Sequence, residues 1–382
     1  MNILIVLDAL TSGGAQKLKL ELAKGLIKRE HTVELFIYDQ NNAFFKSDFI
    51  NAGIKINTVN RKEKGFSFRV LKELRKTIRN SNFDFVISSL HAPGIYSALA
   101  LIGIKKKKLI ICEESSSLAP VSFLKKLLFY FSTLLADFVV ANSFHEAKLM
   151  KKLPGRTSKL RSIWNGFELS SITYKKKGNF NKDDKSKLLV VGRVAYPKNG
   201  LNFLRALNLF LERNGWIPEI NWVGRRDTDK RSMKDKKSAK IQEEIDSYLE
   251  SNEAISRKWN WLGNVKEVEK YYHSADALIH VSLYEGLPLV ICEAMLSGCF
   301  VIASDVCDHP LLIGKSERGI LCDPNSPQSI CEAIEKFYSM DDSALSKSVS
   351  EARQFSVKHF DRDIMVDRFE ELFKNKKKVN HA

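Results

Sequence analysis

The sequence predicts two doubly wound α/β domains in tandem. Short runs rich in β-branched residues alternate with segments of helical periodicity along the chain, a pattern typical of parallel strands covered by helices on both faces. The alternation stops once, in the polar and charged stretch 174–186, and then starts again. A chain of 382 residues, 44% of them hydrophobic, is long enough to form two such cores.

Each domain has its own series of predicted strands. Those of the first half are Ile3–Leu7, Val33–Tyr38, Ile54–Val59, Phe85–Ser88, Leu109–Cys112, Phe138–Ala141 and Leu160–Trp164. Those of the second half are Lys187–Val191, Ile220–Gly224, Trp259–Leu262, Ala277–His280, Val301–Ala303 and Gly319–Leu321. The predicted organisation is a first domain 1–173, a linker 174–186, a second domain 187–360 and a terminal helix with its tail 361–382. Residues 227–256, which are strongly charged, are predicted to be a surface excursion.

The charge and the cysteines limit the class of protein. The net charge is +16, and residues 1–170 carry 27 Lys and Arg against 14 Asp and Glu. Such a basic region attracts nucleic acid, anionic lipid or phosphorylated substrates, and charge alone does not distinguish them. The six cysteines form no Cys-x-x-Cys pair, which indicates reduced thiols in a cytosolic protein, without disulfides or zinc. Residues 1–10 are typical of a buried strand rather than a signal peptide.

The segment LYEGLPLVICEAMLSG, residues 283–298, carries two acidic residues around a predicted helix start. Pro288 suits the first turn of a helix, so Glu285 lies just before the free main-chain amides and Glu293 lies inside the helix. A carboxylate accepts hydrogen bonds from two adjacent hydroxyls, so this pair is suited to hold a sugar and a ribose. The amides of Gly286 and Leu287 offer a seat for a diphosphate. The alternative is that Glu285 caps the helix and Glu293 is solvated.

The segment VVGRVAYPKNG, residues 190–200, places two cations after a buried strand. The strand ends at Gly192, and Arg193 and Lys198 follow in the loop at its carboxyl end. Arg193 and Lys198 there can neutralise a diphosphate without a metal ion. The alternative interpretation is that both are ordinary surface cations.

Two segments of the first half are weaker candidates. In DALTSGGAQ, residues 8–16, Gly13 and Gly14 stand at a predicted helix start, where backbone can approach a ligand closely. The spacing is not the Gly-x-Gly-x-x-Gly of dinucleotide-binding folds, which disfavours NAD. His91 follows another strand and is suited to bond a sugar hydroxyl or an acceptor, although a packed loop histidine is equally consistent with the pattern. Asn165 and Gly166, in WNGFE, are expected to be structural.

Together these segments resemble the retaining, metal-independent glycosyltransferases of the GT-B fold, specifically the large family 4 group. GGAQ, VVANS, WNGFE and VGRVAYPKNG resemble successive family motifs, and residues 261–305 resemble the donor-binding core almost throughout. The resemblance implies two Rossmann-like domains facing a central cleft, with the terminal helix crossing back onto the first. The sequence departs from the family pattern after Val223-Gly224, where Arg225 and Arg226 begin the charged stretch, and at EESSS, residues 113–117.

The resemblance implies transfer of a sugar from a UDP- or GDP-sugar to a saccharide or lipid-linked acceptor in cell-surface polysaccharide or glycolipid synthesis, with no cofactor and no metal. The implied catalytic residues are His91, Arg193, Lys198 and Glu285. The implied donor-binding residues are Gly13, Gly14, Gly192, Arg193, Lys198, Val265, Glu285, Gly286, Leu287, Pro288 and Glu293.

Three alternatives or additions stay open at this point. A nucleotide-sugar epimerase or hydrolase would share the diphosphate site and need no acceptor. A nucleic-acid-binding protein is disfavoured because the lysines are not interleaved with an aromatic platform. The basic first half, with Lys105–Lys108, Arg61-Lys62 and Lys125-Lys126 near Phe123 and residues 127–129, is suited to contact anionic lipid on the inner face of the membrane.

Overall fold

The chain forms two compact units that interleave along the sequence. The structure is a computed structural model and describes residues 1–41, 43–61, 65–114, 122–155, 157–175, 179–226, 236–315 and 317–374. One unit comprises Met1–Glu168 with His359–Ala382, and the other comprises Leu169–Lys358. Parts of several predicted features lie outside the described residues, namely Lys62, residues 115–117 of EESSS, 176–178 of the linker, 227–235 and the tail after 374.

The first unit is built on a seven-stranded parallel sheet with strand order β3-β2-β1-β4-β5-β6-β7. Its strands are Asn2–Leu7 (β1), Thr32–Ile37 (β2), Lys55–Thr58 (β3), Phe85–Ser89 (β4), Lys108–Glu113 (β5), Phe138–Ala141 (β6) and Leu160–Ser162 (β7). Its helices are Gly14–Lys28 (α1), Lys46–Asn51 (α2), Phe68–Asn80 (α3), His91–Leu101 (α4), Phe123–Leu135 (α5) and Phe144–Lys151 (α6). Parallel strands covered on both faces read as continuous apolar runs, as β1 does over residues 3–7.

The second unit repeats this plan with a six-stranded parallel sheet of order β10-β9-β8-β11-β12-β13. Its strands are Lys187–Val191 (β8), Glu219–Val223 (β9), Trp259–Gly263 (β10), Ala277–His280 (β11), Phe300–Ser304 (β12) and Ile320–Cys322 (β13). Its helices are Gly200–Asn214 (α7), Lys236–Glu250 (α8), Glu253–Ser256 (α9), Glu269–Ser274 (α10), Leu289–Ser297 (α11), His309–Ile313 (α12), Pro327–Ser339 (α13) and Asp342–His359 (α14). Two doubly wound domains are therefore confirmed.

Strand order reverses at the same place in both sheets. β1 pairs with β2 on one side and β4 on the other, and β8 pairs likewise with β9 and β11. In doubly wound sheets the loops after the two central strands diverge at this switch point and leave a crevice for ligands. The segments after β1, β4, β8 and β11 are therefore the positions to examine for a site.

The prediction of a surface excursion is wrong for residues 236–250, which form α8. Ile245 and Leu249 of this helix are buried in the core of the second unit. The two other buried positions of the same stripe are polar, and both bond to the chain after β8: Ser238 Oγ accepts from the Tyr196 amide, and Gln242 Nε2 donates to the Val194 carbonyl. The stripe was missed in the sequence because half of it is polar.

The last helix, Arg362–Phe373 (α15), packs against α1 in the first unit. Gly166 allows the approach, since a Cβ there would lie 2.6 Å from the Arg362 Cα. The Arg362 guanidinium bonds both oxygens of Glu168 at 3.0 Å and lies 3.3 Å from Glu21 Oε2. The expected structural role of Gly166 is confirmed. None of the helices in the described ranges has the combination of length and apolarity that a bilayer crossing requires.

Candidate functional site

The main candidate site lies at the switch point of the second sheet. The loop 192–199 follows β8, and the loop 281–288 follows β11, its neighbour in the sheet. The two loops bond directly, because the Leu283 amide donates to the Pro197 carbonyl at 2.8 Å. The Asn199 side-chain amide, buried beneath them, donates to the Val281 and Pro324 carbonyls. The loops are therefore held as one assembly.

An ion pair joins the two loops at their centre. Lys198 Nζ lies 2.6 Å from Glu285 Oε1, and both side chains are about one-fifth exposed, at 21% and 19%. His280, the last residue of β11, is buried, and its Nε2 lies 3.3 Å from the same carboxylate oxygen. The structure thus brings together two predicted site residues and adds a histidine that the sequence analysis did not single out.

The charge state of this cluster follows from its partners. Burial alone would raise the pKa of Glu285, but the Lys198 ammonium and the bond to His280 hold that pKa well below its usual value. Burial, and then the Lys198 charge, lower the pKa of His280. At neutral pH the cluster therefore consists of an ionised carboxylate, a lysine cation and a neutral imidazole, which can donate from Nε2 to Glu285.

Glycine at position 192 makes room for Lys198. Gly192 has φ of 146°, and a Cβ built there would lie 2.9 Å from Lys198 Cε. Its carbonyl accepts from the Trp222 indole at 2.8 Å. Gly224, at the end of the neighbouring strand β9, has φ of 150°, and a Cβ there would meet the Gly192 carbonyl oxygen at 2.0 Å. A Cβ at position 192 would displace the Lys198 side chain, and a Cβ at position 224 would displace the backbone of the loop that carries it.

Helix α11 begins one residue after Pro288, as the sequence predicts within one position. In the described part of the chain, the amides of Gly286 and Leu287, which precede it, have no protein hydrogen-bond acceptor. Glu293 is 8% exposed and accepts from the Tyr272 hydroxyl at 2.9 Å. The alternative that Glu293 is a solvated residue of the helix surface is therefore wrong.

Two other predicted donor-binding residues lie in loops of the second unit. Arg193, directly after Gly192, is exposed, and Val265, in the turn after β10, is half-buried. Tyr272 was missed because its role depends on a contact with Glu293, which lies 21 residues further along the chain. His280 was missed although it lies close to Glu285 in the sequence. A histidine at the carboxyl end of a central strand, five residues before Glu285, was the one available signal.

The candidates of the first unit flank the equivalent switch point. Gly13 precedes α1, after β1, and Gly14 is the first residue of that helix. His91 begins α4, after β4, and its Nε2 lies 3.4 Å from Glu113 Oε2 at the end of β5. Its ring lies 4.4 Å from that of Phe129. Burial, partly offset by the nearby Glu146, lowers the pKa of His91, so its imidazole is neutral at pH 7.

No group of three or more histidine, cysteine, aspartate or glutamate side chains is placed to hold a metal ion within the described ranges. All six cysteines are free thiols, five of them buried. The groups at the switch point of the second sheet are instead two kinds of anion ligand, namely cationic side chains and free amides, beside acidic side chains that accept hydroxyl groups.

Two family models match successive parts of the chain. Residues 12–171 match the model described as Glycosyltransferase Family 4, and residues 171–355 match the model described as Glycosyl transferases group 1. The two matches meet within three residues of the boundary between the units at 168/169. Together they span both switch points.

Similar proteins include enzymes of polysaccharide assembly. An α-1,4-N-acetyl-D-galactosaminyltransferase of Campylobacter jejuni, named for an acceptor on PP-undecaprenol, is 24% identical over 94% of this chain and 96% of its own. The capsular polysaccharide biosynthesis glycosyltransferase CapH of Staphylococcus aureus is 24% identical over 80% of this chain and 82% of its own. The crystal structure of Anabaena HepE with UDP and glucose superposes with a TM-score of 0.82 at 17% identity, covering 98% of this chain and all of that one.

Proposed function

Since the chain belongs to the group 1 glycosyltransferases of the GT-B fold, we propose that it moves a sugar from a nucleotide diphosphate sugar to a saccharide or lipid-linked saccharide acceptor with retention of anomeric configuration. The observation that carries the proposal is the Lys198–Glu285 pair at the switch point of the second sheet. A UDP- or GDP-sugar is the proposed donor, and HepE, the structural neighbour bound to UDP and glucose, supports the uridine form.

In the proposed complex the diphosphate lies against Lys198 and the amides of Gly286 and Leu287. A lysine between a carboxylate and a diphosphate attracts both, so Glu285 stays ionised and in place while the leaving group is held. Arg193, which is exposed in the same loop, is proposed to complete the contact with the diphosphate. These cations replace the divalent metal ion in the proposal, and they stabilise the charge that develops as the sugar leaves.

The acidic residues are proposed to hold the two sugars of the donor. An ionised Glu285 is an acceptor only, which suits neighbouring hydroxyls of the transferred sugar. Glu293, fixed by Tyr272, is proposed to bond the ribose hydroxyls. The neutral imidazole of His91 is proposed to contact the transferred sugar from the first unit. No carboxylate is assigned as a covalent nucleophile, so the acceptor attacks from the face that the diphosphate leaves, and a phosphate oxygen takes its proton.

The place of this reaction is proposed from the relatives. A capsular enzyme and an enzyme named for a PP-undecaprenol acceptor support a role in capsule or other cell-surface polysaccharide synthesis, on the cytoplasmic side of the membrane. The protein is proposed to touch that membrane peripherally through its basic first half.

The test is donor screening followed by product analysis. Thermal unfolding with a panel of nucleotide sugars identifies the donor, because a ligand of the folded state raises Tm. NMR of the product with polyprenyl-diphosphate saccharides as acceptors then gives the anomeric configuration, in buffer with and without a chelator. Retention and insensitivity to the chelator are expected. Donor turnover that is equally fast without any acceptor would instead identify a hydrolase or an epimerase.

A further inference from the structure

Helix α5 of the first unit exposes the residues that a surface helix normally buries. Six large apolar side chains of this helix are exposed: Phe123 (80%), Leu124 (63%), Leu127 (38%), Leu128 (42%), Phe131 (53%) and Leu135 (56%). The buried positions are Phe129 and the small polar Ser132 and Thr133. In globular proteins the apolar stripe faces the core, and a contiguous exposed apolar surface marks an interaction site.

The buried polar side chains of α5 have hydrogen-bond partners within the helix, so this orientation is compatible with a stable fold. Ser132 Oγ donates to the Leu128 carbonyl at 2.8 Å, and Thr133 Oγ1 donates to the Tyr130 carbonyl at 2.7 Å. The buried hydroxyls therefore have partners within the helix itself. Residues 123, 127 and 131 are spaced four apart, and residues 124, 128, 131 and 135 are spaced three or four apart, so each set lies along one side of the helix. The exposed side chains consequently form one continuous surface, called here the α5 apolar face.

The charges around the α5 apolar face indicate what covers it. Lys125 and Lys126 are exposed on the same helix, and residues 122–135 contain no acidic residue. Apolar side chains next to uncompensated lysines match the interfacial region of an anionic bilayer, which offers acyl chains beneath phosphate groups.

The length of the helix fixes how it meets the bilayer. At 13 residues it is about 20 Å long, shorter than the roughly 30 Å apolar layer of a membrane. It therefore suits an orientation parallel to the surface. Phe66 and Phe68, 43% and 78% exposed, stand at the start of α3, which packs on the other side of α4. They are two further exposed apolar side chains of the first unit.

The buried side of α5, opposite the α5 apolar face, adjoins the candidate site residue His91. Phe129, on the buried side of the helix, packs its ring against His91. We infer that α5 lies in the surface of an anionic membrane and brings His91 to the level at which a lipid-linked acceptor presents its saccharide. This inference rests on the proposed function for the acceptor, whereas membrane binding itself does not depend on it.

The experiment uses the full chain and vesicles of phosphatidylcholine with or without phosphatidylglycerol, separated by sedimentation. The variant Phe123→Ser/Leu124→Ser/Phe131→Ser removes much of the α5 apolar face and is expected to bind anionic vesicles at least about tenfold more weakly. The matched controls Ile50→Ser and Leu311→Ser change exposed apolar residues elsewhere, at 55% and 47% exposure, and are expected to bind as the parent does. Circular dichroism checks that every variant folds.

A second pair of variants tests the charge. Lys125→Gln/Lys126→Gln is expected to weaken binding to anionic vesicles by about tenfold, and Lys347→Gln/Lys358→Gln, on α14, is expected to leave it unchanged. Binding of the parent to neutral vesicles should be weaker than to anionic ones. Equal binding to both, or unchanged binding of the Phe123 triple variant, would overturn the inference.

Oligomerisation is the remaining explanation of an apolar face, and it is tested separately. If the parent is a dimer in lipid-free buffer and the Phe123 triple variant is a monomer, the face is a protein interface and the inference fails. Binding of UDP and GDP, measured by thermal unfolding, reports on the proposed function independently. A chain that binds vesicles but neither nucleotide contradicts the transferase proposal alone, and a chain that binds nucleotide but no vesicles contradicts the membrane inference alone.

Discussion

Replacing Lys198 by methionine separates the two roles that the structure gives to this lysine. Methionine keeps an apolar chain over Gly192 but removes the ammonium that lies 2.6 Å from Glu285. A hydrogen bond to a charged group contributes about 1.5–3 kcal/mol, and both partners here keep about one-fifth of their side chains exposed. The expected loss of stability is therefore only about 1–2 kcal/mol, or roughly 2–8 °C in Tm for a domain of this size.

The expected loss of turnover is much larger. A preorganised contact to charge developing in the transition state is typically worth about 2.7–4 kcal/mol, which is a hundredfold to thousandfold in rate. Turnover is measured as release of nucleoside diphosphate under saturating donor, at a temperature well below the Tm of the variant. Lys258→Met is the matched control, since Lys258 is paired with Asp184 on the surface of the same unit. It is expected to change neither quantity appreciably.

A double-mutant cycle checks the structural half of the reasoning. Lys198→Met, Glu285→Gln and the double variant give a coupling free energy, which for two groups in contact is about 0.5–3 kcal/mol. The reasoning is refuted if folded Lys198→Met retains more than about one-tenth of parental turnover, against the hundredfold loss expected. A coupling of zero would show that the pair does not exist in solution.

Three further predictions concern packing and pH. Gly192→Ala should abolish most turnover by displacing Lys198, whereas Gly215→Ala, where φ is 75° and a Cβ meets nothing within 4 Å, should cost only about 1–2 kcal/mol of stability; equal turnover in the two variants would contradict the close approach. Burial lowers the pKa of His309 to about 3, so between pH 6.5 and 3 His309 is protonated in the unfolded chain and neutral in the folded chain. The free energy of unfolding should therefore decrease as the pH is lowered through this range, by up to about 1.4 kcal/mol per pH unit. In His309→Asn, the free energy of unfolding measured with urea should depend less on pH between pH 7 and 5; an unchanged slope would exclude this origin. Arg362→Met removes the guanidinium that contacts Glu168 and Glu21. Because the Glu168 side chain is 39% exposed, the first unit should lose only about 1–3 kcal/mol of stability, while nucleotide-induced stabilisation stays intact.

Local sequence signals were sufficient for the framework of the site. β8 and β11 have the bounds that their apolar runs predict, and α11 begins beside Pro288. Buried parallel strands are continuous apolar runs, so periodicity identifies them without tertiary information. The pairing of Lys198 with Glu285 was not predicted, because it depends on β8 and β11 being neighbours in the sheet and on the bond between the loops that follow them. Neither the segment around β8 nor the segment around β11 indicates that the two strands are neighbours in the sheet.

What the sequence left open depended on which side of an element faces the core. Helical periodicity places most apolar residues of α5 on one face, but it does not show whether that face is buried. Only the structure shows that Phe129 is inside while Phe123 and Phe131 are outside. For α8 the difficulty is the opposite, since Ser238 and Gln242 are buried for the main-chain bonds they make after β8. Polar residues at buried positions interrupt the apolar repeat from which a buried helix face is predicted.

The two units carry different kinds of chemistry on the same strand order. In the second unit the switch point holds a lysine, an ionised carboxylate and free amides, which suit a nucleotide diphosphate sugar. In the first unit the equivalent position holds His91, backed by a helix whose apolar residues point outward among lysines. A doubly wound sheet fixes where ligands bind but not which ones. The specificity of each unit must therefore be sought in the loops and helices that follow β4 and β5 in one sheet and β8 and β11 in the other, so exchanging loop 281–288 should alter donor binding and leave the α5 apolar face unaffected.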